Sequence, residues 1–93
     1  MNYCVYILKS LKDNKHYIGC TSDFTRRLEE HNSGNVASTR SRRPLELIYK
    51  ESFSDKRSAM KRERFLKSGK GREVVKRLNV AASAKITGGL MRE

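Results

Sequence analysis

Five side chains in this sequence are of types that could do chemistry together: Tyr6, Tyr17, Arg27, His31 and Glu63. Arg27 and His31 stand four apart, a spacing that puts two side chains on one face of a helix. A guanidinium offers a rigid fork of donors that matches a phosphate and stabilises charge building on it. A tyrosine is a poor base at neutral pH, with a reference pKa of about 10, but a nearby cation lowers that barrier. Glu63 is informative by its place. At about 100° per residue, Ala59, Met60 and Leu66 span one apolar arc of a helix, and Glu63 falls inside it. A carboxylate that faces inward needs a metal, an arginine or a hydrogen-bond donor, because burying it unpaired is costly. A structural ion pair with Arg27 would satisfy the same pattern, and so would a tilted helix that leaves Glu63 wet.

The elements that must position these groups follow from the pattern around them. Tyr3 to Lys9 is rich in β-branched and aromatic residues and reads as a strand; His16 to Thr21 reads as its partner. Ten residues separate Tyr6 from Tyr17, and the short polar connection between the strands forces an antiparallel hairpin. Cys4, Tyr6 and Leu8 share one face and Val5 and Ile7 the other. A slip of one residue would separate the two tyrosines. Ser22 or Asp23 can cap a helix that runs to about Asn32 and stops at Gly34. Its apolar stripe is Phe24 and Leu28, bordered by Arg27 and His31.

Residues 33–44 read as a loop carrying Arg40, Arg42 and Arg43. Leu45 to Phe53 reads as a third strand with Leu45, Leu47, Tyr49 and Phe53 on one parity. Ser54 is placed to cap a second helix that ends near Ser68-Gly69. Lys70-Gly71 reads as a break, and Arg72 to about Ala84 as a third helix. The expected architecture is α+β: a three-stranded antiparallel sheet flanked by helices, in a single domain over residues 1–84. Residues 85–93 read as a loosely docked tail.

Composition narrows the partners. Ninety-three residues leave no room for a second core. Net charge is +11, and residues 40–77 hold fourteen Lys and Arg against five Asp and Glu, a local balance of +9. Polyanions are the natural partners of such a surface. No apolar run approaches the roughly 20 residues a spanning helix needs, and the opening residues do not read as a signal peptide. The two cysteines, Cys4 and Cys20, fall in strands without metal-ligand spacing. Free buried thiols and a cytoplasmic location are the expectation. Gly69-Lys70-Gly71 lacks the spacing of a phosphate-binding Walker loop.

The ordered set resembles the GIY-YIG nuclease signature. Cys4-Val5-Tyr6 stands as its first half, with Cys4 in place of the first glycine, and Tyr17-Ile18-Gly19 as its second. The step from Gly19 to Arg27, with Phe24 between them, fits as well. The likeness runs from about Tyr3 to Leu78 and is greatest to small stand-alone members, similar to the nuclease domain of the excinuclease incision subunit. It implies metal-dependent hydrolysis of DNA phosphodiesters in repair or recombination. By that resemblance Tyr6 takes a proton from the attacking water and Tyr17 positions the water or the phosphate. His31 orients Tyr6 or the water or assists proton transfer, and Arg27 forks onto the scissile phosphate. Glu63 is implied as the ligand of Mg²⁺ or Mn²⁺, a hard cation content with one carboxylate, waters and a phosphate oxygen. Asn79 is the candidate for an asparagine near the site on the last helix. Arg40, Arg42, Arg43, Lys67, Lys70 and Arg72 are the expected nucleic-acid contacts, with RNA left open beside DNA. Nothing resembles the extra DNA-binding domain of larger members. The alternatives are therefore a non-catalytic nucleic-acid-binding module and a nuclease subunit that a protein partner targets.

Overall fold

The alternating side chains of strand β1 (Tyr3–Ser10) are buried on both sides, Val5 and Ile7 in one layer, Tyr6 and Leu8 in another. A strand buried on both faces belongs in the middle of a sheet covered twice. The computed structural model describes residues 2–92, and the side chains of residues 2–80. In it β1 lies between β2 (His16–Thr21) and β3 (Leu45–Phe53) in an antiparallel sheet of order β2-β1-β3.

At the β1–β2 turn, the Ser10 hydroxyl accepts from the N–H groups of Lys12 and Asp13 and donates to the Arg42 carbonyl at 2.7 Å. Asn14 supplies the left-handed step, with φ 62°, that such a tight reversal needs. The register sets Tyr6 opposite Gly19 and Leu8 opposite Tyr17, so the two tyrosines share a face.

β3 departs from simple alternation. Ile7 is opposite Tyr49 and Leu8 is opposite Leu47, so Ile48 is an extra residue, a β-bulge. Leu45, Leu47, Tyr49 and Phe53, expected on one face, are divided by it. Leu45 packs in the Tyr6 layer, while Tyr49 and Phe53 pack in the Val5–Ile7 layer.

Helix α1 (Phe24–Ser33) covers the Tyr6 layer through Phe24 and Leu28. Asp23 caps it, accepting from the Arg26 N–H at 3.2 Å, and Gly34 ends it at φ 86°. A short 3₁₀ turn, Arg40–Arg42, then leads into β3. Helices α2 (Lys56–Lys67) and α3 (Gly69–Arg92) cover the opposite layer through Ala59, Leu66 and Val75.

Asp55 rather than Ser54 caps α2, accepting from the Ser58 N–H at 2.8 Å. The break before α3 is also tighter than expected. Only Ser68 separates the helices, and its hydroxyl accepts from the Gly71 N–H at 3.2 Å, capping α3. A Cβ at Gly71 would overlap the Phe65 carbonyl and the Leu66 backbone. The glycine that looked like a loop signal is thus the residue that lets two helices cross closely. The expectation of a loosely docked tail over residues 85–93 concerns side chains outside the described residues.

Candidate active site

Tyr6 leans from β1 across its neighbour on β2. Its ring lies over Gly19, where a Cβ would overlap the phenol. Phe24 of α1 meets the same ring edge-on at 5.6 Å between centroids. Tyr17 and Tyr6 have centroids 6.4 Å apart, and the edge of Tyr17 packs on His31 at 4.8 Å. Each ring is therefore held by two or more neighbours, and the hydroxyls are aimed by packing rather than left to rotate in solvent.

Behind the tyrosines lies a buried polar chain. The Tyr6 hydroxyl is 3.2 Å from His31 Nε2, and His31 Nδ1 is 2.8 Å from the Thr39 hydroxyl oxygen. Thr39 in turn donates to the Val36 carbonyl at 3.5 Å. His31 thus bridges the two hydroxyls, and in the tautomer that carries its proton on Nδ1 it donates to Thr39 and leaves Nε2 to accept from Tyr6. Tyr6, His31 and Thr39 are all 1% exposed or less. Burial holds the His31 pKa below the ordinary value, and the charge of Arg27 adds to the effect, so the ring is neutral at physiological pH.

Arg27 stands beside both phenols. The hydrogen-bonding pull of the Tyr6 hydroxyl, and less of Tyr17, holds its guanidinium even more firmly protonated than usual. Its hydrogen bond of good geometry goes to Glu30 at 3.4 Å, so toward the phenols it acts mainly as a neighbouring charge. Burial pushes the Tyr6 phenol up and Arg27 pulls it back without cancelling the shift. Tyr6 is thus a phenol at neutral pH, hydrogen-bonded to a neutral imidazole.

Glu63 projects from α2, whose apolar side covers the sheet face opposite the tyrosine rings. It is not the inward carboxylate that its position on the wheel suggests. Met60, its neighbour on that arc, is 42% exposed, and the Glu63 side chain is 21% exposed with Lys67 Nζ at 3.2 Å. The helix is rolled so that only Ala59 and Leu66 are fully buried, which brings Glu63 to the rim of the sheet at the end of β2. There it lines a cleft of about 440 Å³ with Cys20, Thr21, Ser22, Lys56 and Met60. An adjoining cleft of about 360 Å³ carries Arg27, Arg26 and Glu30 and shares Cys20, Thr21 and Ser22. Arg27 and Glu63 therefore flank one short segment from opposite sides. Burial is the main cause that raises the pKa of both the Tyr6 phenol and the Cys20 thiol, and the nearby Glu63 carboxylate adds to it.

Among the described residues no group of three or more His, Cys, Asp or Glu side chains is placed to hold a metal ion. One partly buried carboxylate beside the hydroxyls of Thr21 and Ser22 does fit a hydrated hard cation, which keeps its waters and takes further oxygens from a phosphate.

The remaining candidates scatter. Arg40 donates to the Gly34 carbonyl at 2.9 Å, and Arg43 donates to the Arg40 carbonyl at 3.0 Å and to Asn32 at 3.4 Å. Both arginines tie the loop to the end of α1. Arg42, Lys67 and Arg72 line a different cleft along β2. Lys70 is exposed in the first turn of α3. Asn79 lies against His16, on the other sheet face from the tyrosine rings. The Asn79 Oδ1 and His16 Nε2 atoms are both buried without a hydrogen-bond partner of good geometry. Two residues at the site escaped sequence reasoning. Thr39 sits in a stretch that reads as a polar loop, and its burial depends on the 3₁₀ turn. Lys50, opposite Tyr6 on β3, places its ammonium 4.6 Å from the Phe24 ring centre. Its strand position identifies the face only once the bulge is known.

Comparison with known proteins agrees with this geometry. The model of the GIY-YIG catalytic domain matches residues 2–79. The UPF0213 protein YazA of Bacillus subtilis is 48% identical over 67 residues, 71% of this chain and 67% of that protein. A UPF0213 protein of Streptococcus pneumoniae is 46% identical over 67 residues, 71% of this chain and 67% of its own length. The chain thus spans about two thirds of the curated relatives it matches. The solution structure of a UPF0213 protein of Bacillus halodurans superposes with a TM-score of 0.53 at 38% identity, covering 84% of this chain and 85% of that one. No helix among the described residues is long and apolar enough to cross a membrane. The tyrosine pair, the glycine under Tyr6 and the match across most of the chain lead to one assignment: the chain belongs to the GIY-YIG catalytic domain family of nucleases.

Proposed function

We propose that this protein is a metal-dependent endonuclease that hydrolyses DNA phosphodiester bonds, with a role in repair or recombination. The observation that carries the reading is the buried Tyr6–His31–Thr39 chain set beside Arg27. A phenol with a raised pKa is a weak base alone. Hydrogen-bonded to neutral His31, it can take a proton from an attacking water while giving its own to Nε2, and no free phenolate need accumulate. Arg27 stabilises the charge that builds on the phosphate. Tyr17, packed on His31, orients the water or the phosphate. Glu63 is the residue that would hold Mg²⁺ or Mn²⁺. When bound, the cation supplies charge stabilisation at the phosphate and the leaving oxygen. Incubation of plasmid, flap and branched DNA with Mg²⁺, in parallel with Glu63→Ala, tests the reading. Cleavage that needs both the metal and Glu63 supports it, and no cleavage of any of these substrates argues against it.

A further inference from the structure

β2 is an edge strand, and on it Tyr17 belongs to one face while His16 and Ile18 belong to the other. All three line a single cleft of about 660 Å³, so that cleft straddles the strand edge. It reaches from the β1–β2 turn to the corner between α2 and α3. Its cations are Lys15, Arg42, Lys67, Arg72 and Lys76, and among the described residues no carboxylate lines it. Ile18, Leu66 and Val75 form an apolar floor.

Three of the five cations have a carboxylate partner outside the cleft: Arg42 with Asp13 at 3.9 Å, Lys67 with Glu63 at 3.2 Å and Lys76 with Glu73 at 4.0 Å. These pairs are partly or largely exposed and long or flexible, so they are weak and do not cancel the field of the opening. Lys15 and Arg72 form no ion pair among the described residues. The mix of basic rim and apolar floor suits a chain of phosphates whose sugars and bases need a non-polar rest. Tyr17 is the shared wall: its ring lines this cleft and also packs on His31 of the candidate active site.

We propose that this cleft seats the phosphate backbone of the DNA strand that flanks the bond being cut. The identity of the strand rests on the nuclease reading; the cleft's affinity for it does not. Arg42, Lys67 and Arg72 contribute there, and Lys15 and Lys76, which were not among the expected nucleic-acid contacts, join them. The cleft shares no lining residue with the two clefts that carry Arg27 and Glu63, and of its cations only Lys67 reaches Glu63, so substitution at Lys15 and Lys76 separates phosphate binding from phosphate cleavage.

The test compares wild type with Lys15→Gln, Lys76→Gln and with a control of equal charge, Arg57→Gln, Lys61→Gln. All four side chains are exposed, and the control pair lies on α2 outside the cleft. Binding to a short DNA duplex is read by fluorescence anisotropy in EDTA, between about 50 and 200 mM salt. The cleft variant should lose affinity about tenfold and lower the salt slope by roughly two, while the control pair changes affinity by less than about twofold. Equal losses in both variants, or no loss in the cleft variant, overturn the proposal. So does cleft-dependent binding of the matching RNA duplex that is tighter than that of DNA. A protein that binds DNA through the cleft yet never cuts it would overturn the nuclease reading and leave the cleft standing.

Discussion

The Tyr6 hydroxyl meets His31 Nε2 at 3.2 Å, inside a core where both residues are 1% exposed or less. A strand tyrosine would ordinarily spend its hydroxyl at the rim of the sheet. Here it is turned inward to an imidazole that Thr39 holds from the other side at 2.8 Å. Burying three polar groups in a small core is tolerable only because each satisfies the next. The same chain gives Tyr6 somewhere to send a proton.

Thr39 should behave as a positioning residue. Thr39→Val keeps the shape and removes the hydroxyl, which leaves His31 Nδ1 unpaired at a cost of about 1–3 kcal/mol. The freed nitrogen also loses the partner that fixes its tautomer, so cleavage should fall about tenfold or more, within the range that proton-transfer groups control. Thr39→Ser restores the hydroxyl and should recover most of the rate. A purely structural role would instead show Thr39→Val lowering the melting temperature with turnover per folded molecule unchanged.

Gly19→Ala should be severe for so small a change. The added methyl meets the Tyr6 ring, which is packed against Phe24 and has little room to retreat. Overpacking of this kind costs about 1–3 kcal/mol. Urea denaturation should show the lower stability, and cleavage should fall further than stability alone explains. An unchanged midpoint would mean that the Tyr6 ring does not rest on Gly19.

Stability should drop on mild acidification. His31 and His16 both have pKa values lowered by burial, so the unfolded chain binds their protons more readily than the folded one. Stability is then full above the ordinary histidine value, about 6.5. It is lost as the pH falls from there through the lower folded values. His31→Gln should flatten part of this dependence. Melting temperatures between pH 5 and 8, measured for both proteins, check the sign; a parent that grows more stable toward pH 5 would contradict it.

Glu63→Gln should abolish metal-dependent cleavage while leaving the fold nearly untouched. Its ion pair with Lys67 is exposed on the lysine side, 56%, and weak by type, so its loss should cost less than about 1 kcal/mol. DNA binding in EDTA should be retained. A stable variant that still cuts with Mg²⁺ would remove Glu63 from the mechanism.

The shared tyrosine face was favoured by the family resemblance, since the hairpin pattern alone leaves a slip of one residue open; the sheet and the three main helices were legible because hydrophobic period and short turns determine them locally. Tyr6, Tyr17, Arg27 and His31 come together for the same reason, since they lie within one hairpin and the helix that follows. What was not legible depends on distant backbone. The bulge at Ile48 inverts the parity of Leu45 and Leu47 without a compositional mark. Thr39 is buried by a turn whose sequence looks like solvent-exposed loop. Glu63 was placed by a helical wheel that assumes a helix faces the sheet squarely, and α2 does not. Asn79 was carried over by likeness alone, and its register on α3 sets it against His16.

The central claim is that the Tyr6 hydroxyl takes part in cutting a phosphodiester. Tyr6→Phe keeps the ring over Gly19 and against Phe24 and removes a single oxygen. The direct measurement is the rate of Mg²⁺-dependent nicking of supercoiled plasmid by this variant and by wild type, with melting temperatures alongside. Wild type should nick the plasmid, and the folded variant should be slower by about 10²-fold or more. A folded Tyr6→Phe protein that nicks at the wild-type rate would contradict it.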